Sequence, residues 1–496
     1  MKLFPSAVAL AMLLAAQVVT ASETAVPYEE AFQRLHQRGQ FNGAVLIEKD
    51  GKVVLDAHFG MADAAKQQPL SDNSLYRLAS VSKTITAAGL LTLVDAGKVA
   101  LDDPVQKYLP EFPHDKVTVR HLLQHSSGLP EYIFGLGDYW PANRGVMTNH
   151  DVLVWLSETR APLAFEPGLG WDYCNTGYAL IPLIIERVTR SSYSKFLRSA
   201  VFRKAGMRHT YHISELNKRL QRRVADGHGF DYASASDLRI EQHPVLSAEF
   251  QADHVYGAGD IYSTPRDLLA FDHALRAGKV LSAPLQKQAY TSMVLPEGFP
   301  AGYGLGWQVA ETEYTGRIIH HHGQGDGYRT RFYRFIDKGI TIITLQNARE
   351  QYADAALRVA QQLAFKSTYT LPPISLAESL SRTMHEDGAE AALARIDAAA
   401  ADPAPWSLSP RDLNNLALTY WFKGDRRSAV ALMKAYLELF PEDPTVFVNL
   451  AEALAEEGDA AGSRDAYRRA LEIAQADPAR HRSIMASIEK ALGNGD

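Results

Sequence analysis

The chain has 496 residues, 46% apolar, with a formal net charge of −6, 17 histidines and one cysteine. That length allows more than one domain, and the apolar content is that of a soluble globular protein. A mildly acidic balance gives no reason to expect nucleic acid, and a single cysteine excludes an intramolecular disulfide. Residues 1–21 read as an export signal. Lys2 supplies its positive start, residues 7–16 an apolar run too short for a comfortable membrane span, and Val19-Thr20-Ala21 a small-residue cleavage site. The expected location is therefore exported, periplasmic or secreted, with no membrane span in the mature chain. Residues 27–38 predict an amphipathic helix. Residues 44–47 and 53–55 predict two strands joined at Asp50-Gly51, a two-residue hairpin signal.

Ser80-Val81-Ser82-Lys83 opens the next helix, which runs with helical apolar spacing through Leu93 and stops before Gly97. A serine at that helix N-terminus meets free N–H groups, and a lysine three residues on lies on the same face. A lysine so placed can take the hydroxyl proton and turn a weak nucleophile into a working one. Residues 100–250 predict mostly helices and loops, with no second strand cluster. Within them, the Pro/Gly-rich segment before Trp171 leads to Tyr173-Cys174-Asn175. Extended backbone there points Tyr173 and Asn175 the same way, a phenol and an amide aimed at one cavity, and turns Cys174 inward as a small hydrophobe. Thr264-Pro265 starts a further helix. Strands are expected over 304–309, 317–322, 330–335 and 340–345, followed by a helix over 351–365.

The His320-His321-His322 run invites a metal reading. Adjacent strand residues point to opposite faces, Gln324 stands where a zinc pattern needs Asp, and His-Glu-x-x-His is absent. No metal and no cofactor is expected.

Three motifs now stand in order: Ser80-x-x-Lys83, Tyr173-x-Asn175 and His321-x-Gly323. Together with His125-Ser126-Ser127-Gly128-Leu129-Pro130 and Tyr303-Gly304-Leu305-Gly306-Trp307, they resemble the serine β-lactamase and penicillin-binding-protein-like family in its class C-like branch. The resemblance implies an α/β fold, a β-lactamase/transpeptidase-like antiparallel sheet with flanking helices and an inserted helical region. It implies Ser80 as the acylated nucleophile, Lys83 as proton acceptor or relay and Tyr173 as the partner base or acid. Asn175, His321, Gly323 and Gln324 would bind substrate, with the backbone N–H groups of Ser80 and Gln324 as the oxyanion hole. His321 stands where many β-lactamases carry lysine, which favours an esterase or D-amino-acid peptidase over an efficient β-lactamase. The alternatives are a β-lactamase or DD-carboxypeptidase, and a weakly active cell-wall peptide-binding interaction protein.

Beyond Leu371-Pro372-Pro373 the composition turns to Ala, Glu and Leu, and a 34-residue period appears: Leu416-Ala417 returns as Leu450-Ala451, Gly424-Asp425 as Gly458-Asp459. This resembles tetratricopeptide repeats, whose concave surfaces take protein or peptide partners. The expected division is a signal over 1–21, a hydrolase domain over 27–366, a linker with a candidate degenerate repeat over 367–402, and helical repeats over 403–496. The expected substrate is a small ester, amide or peptide, and the repeats are expected to be separable from catalysis.

Overall fold

The computed structural model describes residues 26–135, 145–243, 254–325, 327–348 and 352–493. The signal read at 1–21, and parts of the two loops that flank the expected pocket near residues 132–149 and 251–256, lie outside the described residues.

Helix α1 (Val26–Gln37) leads to strands β1 (Gly43–Lys49) and β2 (Lys52–Phe59). Their turn places Asp50 at φ 50° and Gly51 at φ 74°, the left-handed pair that Asp-Gly tolerates. The principal helices of the insert are α2 (Ser82–Asp95), α3 (Val119–Gln124), α4 (Asn149–Thr159), α5 (Asn175–Thr189) and α6 (Pro265–Arg276). Strands β3 (Gln308–Thr312), β4 (Gly316–Gly325), β5 (Tyr328–Phe335) and β6 (Ile340–Gln346) then complete the sheet, and α7 (Ala353–Lys366) closes it. The sheet order is β3-β4-β5-β6-β1-β2, antiparallel at every pairing.

The strand period of two sorts the central side chains between two cores. Val45, Ile47, Phe335 and Ile342 pack with Phe32 of α1 and Leu363 of α7. Ala44, Leu46, Ile343 and Leu345 face the inserted helices. Both faces are covered, so β1 and β6 read as near-continuous apolar runs. Each such Ile or Phe taken fully out of water contributes roughly 2 kcal/mol.

Two expectations need correction. The strand expected over 304–309 begins only at Gln308. Gly306 sits at φ 86°, where a Cβ would lie 2.3 Å from the Ala87 methyl, so the chain turns tightly against α2 before it extends. The middle region is not free of strands either. His228–Asp231 and Ser236–Arg239 form a hairpin, and Tyr211–His212 joins Ile261–Ser263 and Tyr76–Arg77 in a small ribbon. These strands span only two to four residues, too few for an alternation to show.

The tail consists of helices α8 (Leu376–Glu386), α9 (Ala389–Ala401), α10 (Pro410–Phe422), α11 (Arg426–Leu439), α12 (Pro444–Glu456), α13 (Ala460–Ala476) and α14 (Pro478–Gly493). The repeat recurs in the caps: Asp425 accepts from the Ser428 N–H and Asp459 from the Gly462 N–H. The tail meets the hydrolase body at several points. Arg38 donates to the Pro372 carbonyl at 2.9 Å, the Ser375 N–H to the Tyr352 hydroxyl at 3.1 Å, and Ser381 Oγ to the Tyr232 carbonyl at 2.8 Å. Tyr232, at the hairpin, also packs against the apolar core of the tail. Among the described residues no helix is long and apolar enough to cross a membrane.

Candidate active site

Ser80 lies in a single 3₁₀ turn, Ala79–Val81, that runs directly into α2. The residue before it, Ala79, takes φ 47°, a left-handed conformation that costs a non-glycine residue about 1–2 kcal/mol. The sharp bend lifts Ser80 to the end of a helix whose opening turns are otherwise buried.

Lys83 is 0% exposed. Its Nζ stands 3.1 Å from Ser80 Oγ, 2.7 Å from Asn175 Oδ1 and 3.0 Å from the Ala258 carbonyl. The last two groups can only accept. In the neutral amine both N–H bonds are thereby used, and the lone pair is left facing the serine hydroxyl. That is the geometry a general base needs. The ammonium form would instead donate its third N–H to Ser80.

Tyr173 and Asn175 both face Lys83, but Asn175 opens α5 where an extended segment was expected. Cys174, in extended conformation, precedes the first helical residue of α5. The Tyr173 ring lies 4.9 Å from Lys83 Nζ, and its buried hydroxyl has no hydrogen-bond partner among the described residues. The Cys174 thiol turns inward, donates to the Leu129 carbonyl at 3.3 Å and is raised to about 11 by burial. Asn175 is held by a residue that the motifs do not mark. Glu131 Oε2 accepts from the Asn175 backbone N–H at 2.7 Å and from its Nδ2 at 3.0 Å, which fixes the amide with Oδ1 toward Lys83.

Behind these groups lies an aromatic wall. His125 packs at 4.3 Å from the Tyr173 ring and 4.6 Å from the Tyr303 ring. Burial, and next the charge of Lys83, hold His125 well below the usual histidine range. His321 is 1% exposed. Its Nδ1 donates to the His322 carbonyl at 2.7 Å, so its Nε2 accepts from the Tyr303 hydroxyl at 2.9 Å. Burial, then Lys83, also push His321 well below its usual range. The ring is therefore neutral, and both nitrogens are occupied. His320 and His322 stand together on the opposite face, 5.2 Å apart and against Tyr333. Among the described residues no cluster of three His, Cys, Asp or Glu side chains could hold a metal ion.

Strand β3 begins opposite His320, so β4 continues past that point without pairing to β3. The His322 N–H points to this edge of β4, toward Gln308 Oε1 at 3.3 Å, and the Gln324 N–H, two residues on, points the same way. Gly323 passes under the Ser80 turn: a Cβ there would lie 2.2 Å from the Leu78 carbonyl. Only a bare backbone fits.

The motifs thus bring Ser80, Lys83, Tyr173, Asn175 and Gly323 to one place, with Gln324 on the adjoining edge and His321 behind. Glu131, the Ala258 carbonyl and the tyrosine of Tyr303-Gly304 were not assigned roles by the sequence. Glu131 follows the His125–Pro130 motif, but no spacing rule ties a carboxylate there to an asparagine 44 residues on.

Among known proteins, penicillin-binding protein 4* of Bacillus subtilis (strain 168) is 35% identical over 69% of this chain and 76% of its own length. Esterase EstB of Burkholderia gladioli is 28% identical over 49% of this chain and 68% of its own. The crystal structure of D-amino acid amidase from Ochrobactrum anthropi SV3 with D-phenylalanine aligns at a TM-score of 0.57 and 25% identity, over 69% of this chain and 99% of that one. A tetratricopeptide repeat family matches residues 414–478. Residues 28–365, which carry the nucleophile turn, the aromatic wall and the whole sheet, match the β-lactamase family, and the chain belongs to it.

Proposed function

We propose that this protein is an exported serine hydrolase that cleaves an ester or an amide, with D-amino-acid peptides and amides foremost, through an acyl-enzyme on Ser80. The observation that carries the reading is the setting of Lys83, with two acceptors taking its N–H groups and Ser80 Oγ 3.1 Å away on the remaining side. Ser80 Oγ attacks the carbonyl carbon while its proton passes to Lys83 Nζ. The tetrahedral oxyanion is received by the backbone N–H groups of Ser80 and Gln324. Collapse breaks the bond to the leaving group, which takes a proton from Tyr173 or Lys83. Water then attacks the ester on Ser80 by the same route in reverse. Asn175 keeps the lysine aligned, and Gly323 lets the substrate backbone lie along the β4 edge.

His321 supports the preference within the class. A lysine there would offer a permanent charge to a substrate carboxylate; a neutral histidine already bonded at both nitrogens does not. The names of the amidase and esterase relatives point to the same substrates, and that of the penicillin-binding relative makes a β-lactam the comparison substrate. The tail would bring protein or peptide partners to the enzyme.

The test compares p-nitrophenyl butyrate, D-phenylalanine amide and nitrocefin, with Ser80→Ala as the blank. Turnover of the first two and an acyl adduct on the Ser80 peptide are expected. Efficient nitrocefin turnover alone would make the protein a β-lactamase. Unchanged turnover in Ser80→Ala, or an adduct on Ser82 or Ser127, would remove Ser80 from the mechanism.

A further inference from the structure

Of the three partners of Lys83, one belongs to no catalytic motif. The Ala258 carbonyl sits in a loop, residues 257–260, that contributes no side chain to the site. We propose that the buried pair His212–Asp260 is a positioning device for the catalytic lysine. It sets this loop so that the Ala258 carbonyl takes one Lys83 N–H and leaves the lone pair on Ser80. The proposal rests on the roles given above to Ser80 and Lys83.

Hydrogen bonds run from Asp260 through the loop to the lysine, and His212 faces Asp260 across an ion-pair contact. His212 and Asp260 are 1% and 4% exposed. Asp260 Oδ1 accepts from the Gly257 N–H at 2.5 Å and the Gly259 N–H at 3.3 Å, so one carboxylate oxygen clasps both residues that flank Ala258. Oδ2 stands 3.0 Å from His212 Nε2, an ion-pair distance at an angle outside that of a hydrogen bond. On the far side of the ring, Nδ1 accepts from the Ser214 backbone N–H at 3.2 Å. An amide can only donate, so the ring proton lies on Nε2, toward Asp260. The rings of Tyr193 and Tyr256 close on the imidazole edge-to-face at 5.5 and 4.4 Å.

The loop is also tied to the helix that carries Lys83. Thr86 Oγ1 donates to the Gly257 carbonyl at 2.8 Å, and the Ile261 N–H donates to Ser82 Oγ at 3.2 Å. Gly257, at φ 104°, lets the loop approach α5 so closely that a Cβ would lie 2.3 Å from the Tyr178 carbonyl. A loop that served packing alone would have no need of a buried carboxylate. Such a group is tolerated where its bonds hold a polar network in one arrangement. Neither His212 nor Asp260 bonds Ser80 or Lys83; they act through the Ala258 carbonyl.

The test measures covalent labelling of Ser80 in the full chain by a fluorophosphonate. The P–O bond forms at Ser80 Oγ, the P–F bond breaks, fluoride leaves, and the hydroxyl proton passes to Lys83. Loss of folded protein lowers the amplitude of labelling, whereas a misplaced base lowers its rate constant. Asp260→Asn keeps an oxygen for the Gly257 N–H but removes the charge and faces His212 with an amide. Its rate constant should fall roughly 10-fold or more, with the pH midpoint of labelling displaced. Thr86→Val removes the bond to the Gly257 carbonyl, and with it the bond to the Tyr193 hydroxyl, leaves Asp260 itself unaltered, and should slow labelling about threefold. If Asp260→Asn does not fold, His212→Gln and Thr86→Val decide. Labelling of the unaltered chain together with wild-type rate constants and pH midpoints in the folded variants overturns the positioning role alone. No labelling of Ser80 in the unaltered chain overturns the functional reading and this proposal with it.

Discussion

Replacing Lys83 by methionine separates the base from the space it fills. Methionine is unbranched and of similar reach, so the buried slot stays occupied. The variant loses all three Nζ contacts and leaves Asn175 Oδ1 and the Ala258 carbonyl without their donor. Each buried acceptor so orphaned costs about 1–3 kcal/mol, offset in part because no ammonium has to be held out of water. Asn175 remains clasped by Glu131, and the loop of Ala258 by Asp260, so the scaffold around the gap survives. A melting temperature lower by a few degrees follows. Catalysis should suffer far more, because among the described residues Lys83 is the one side chain bonded to Ser80 Oγ. The loss expected for a general base is about 10²–10⁴ in turnover. The assay is p-nitrophenyl butyrate hydrolysis alongside the fluorophosphonate rate constant and a thermal melt. A folded Lys83→Met protein within tenfold of the wild-type rate would refute the reasoning, since the lone-pair geometry would then be incidental.

Tyr173→Phe removes a hydroxyl with no hydrogen-bond partner among the described residues; the melting curve should not move, while turnover should drop roughly 10²-fold, and a near-normal rate would take Tyr173 out of proton transfer. For pH, burial depresses His320 to about 3 and His322 to about 4, and holds His125 and His321 well below the usual range. The unfolded chain, titrating at about 6.5, then binds more protons than the folded one as the pH drops below that value. Stability is complete above about pH 6.5 and declines toward pH 4; urea midpoints at pH 7.5 and 5 should show this, with a shallower decline in the His320→Gln, His322→Gln double variant, and equal midpoints would contradict it. A chain ending after Ala401 keeps the bonds from Arg38, Ser375 and Ser381 across the junction; it should fold and hydrolyse p-nitrophenyl butyrate within about twofold of the full rate. A folded but inactive product would show that the repeats help to build the site.

What the sequence disclosed is what repeats or recurs at fixed spacing. The Asp50-Gly51 turn, the apolar strands at both ends and the 34-residue period each express one local rule, and apart from the strand expected over 304–309 each element stands where its rule puts it. The catalytic motifs were readable for a related reason: Ser80 and Lys83 lie three residues apart at the start of a helix, and Tyr173 and Asn175 flank Cys174, whose extended backbone leads into α5. The histidine run also yielded to strand geometry, with His321 on one face and its two neighbours on the other. What escaped was set by contacts distant in sequence. The third partner of Lys83 is a main-chain carbonyl 175 residues away, and a carbonyl leaves no signature in a side-chain pattern. Glu131 looks like any surface carboxylate until the start of α5 is folded against it. The short hairpin at 228–239 has too few apolar residues to announce itself.

That hairpin bears on how the two halves of the protein join. Its outer part lies against the tail: the Tyr232 carbonyl accepts from Ser381, and the Ala233 carbonyl accepts from Lys423 Nζ at 2.6 Å. Its base lies against the sheet. The His228 N–H donates to the Asn347 carbonyl at 3.0 Å, and a Cβ on Gly327 would lie 2.5 Å from the His228 nitrogen. Gly327 belongs to the turn between β4 and β5, two strands whose register runs Gly325 against Tyr328 and Gln324 against Arg329. The element that braces the tail therefore also presses on the turn beside the proposed oxyanion edge. A cut close behind α7 would strip the outer face of the hairpin and leave Tyr232 without its apolar partners. A cut after α9 leaves α8, and with it the Ser381 contact, in place. Loss of activity in the shorter chain alone would then trace to a loosened hairpin and not to any missing catalytic group, because every side chain assigned to the chemistry lies before residue 325.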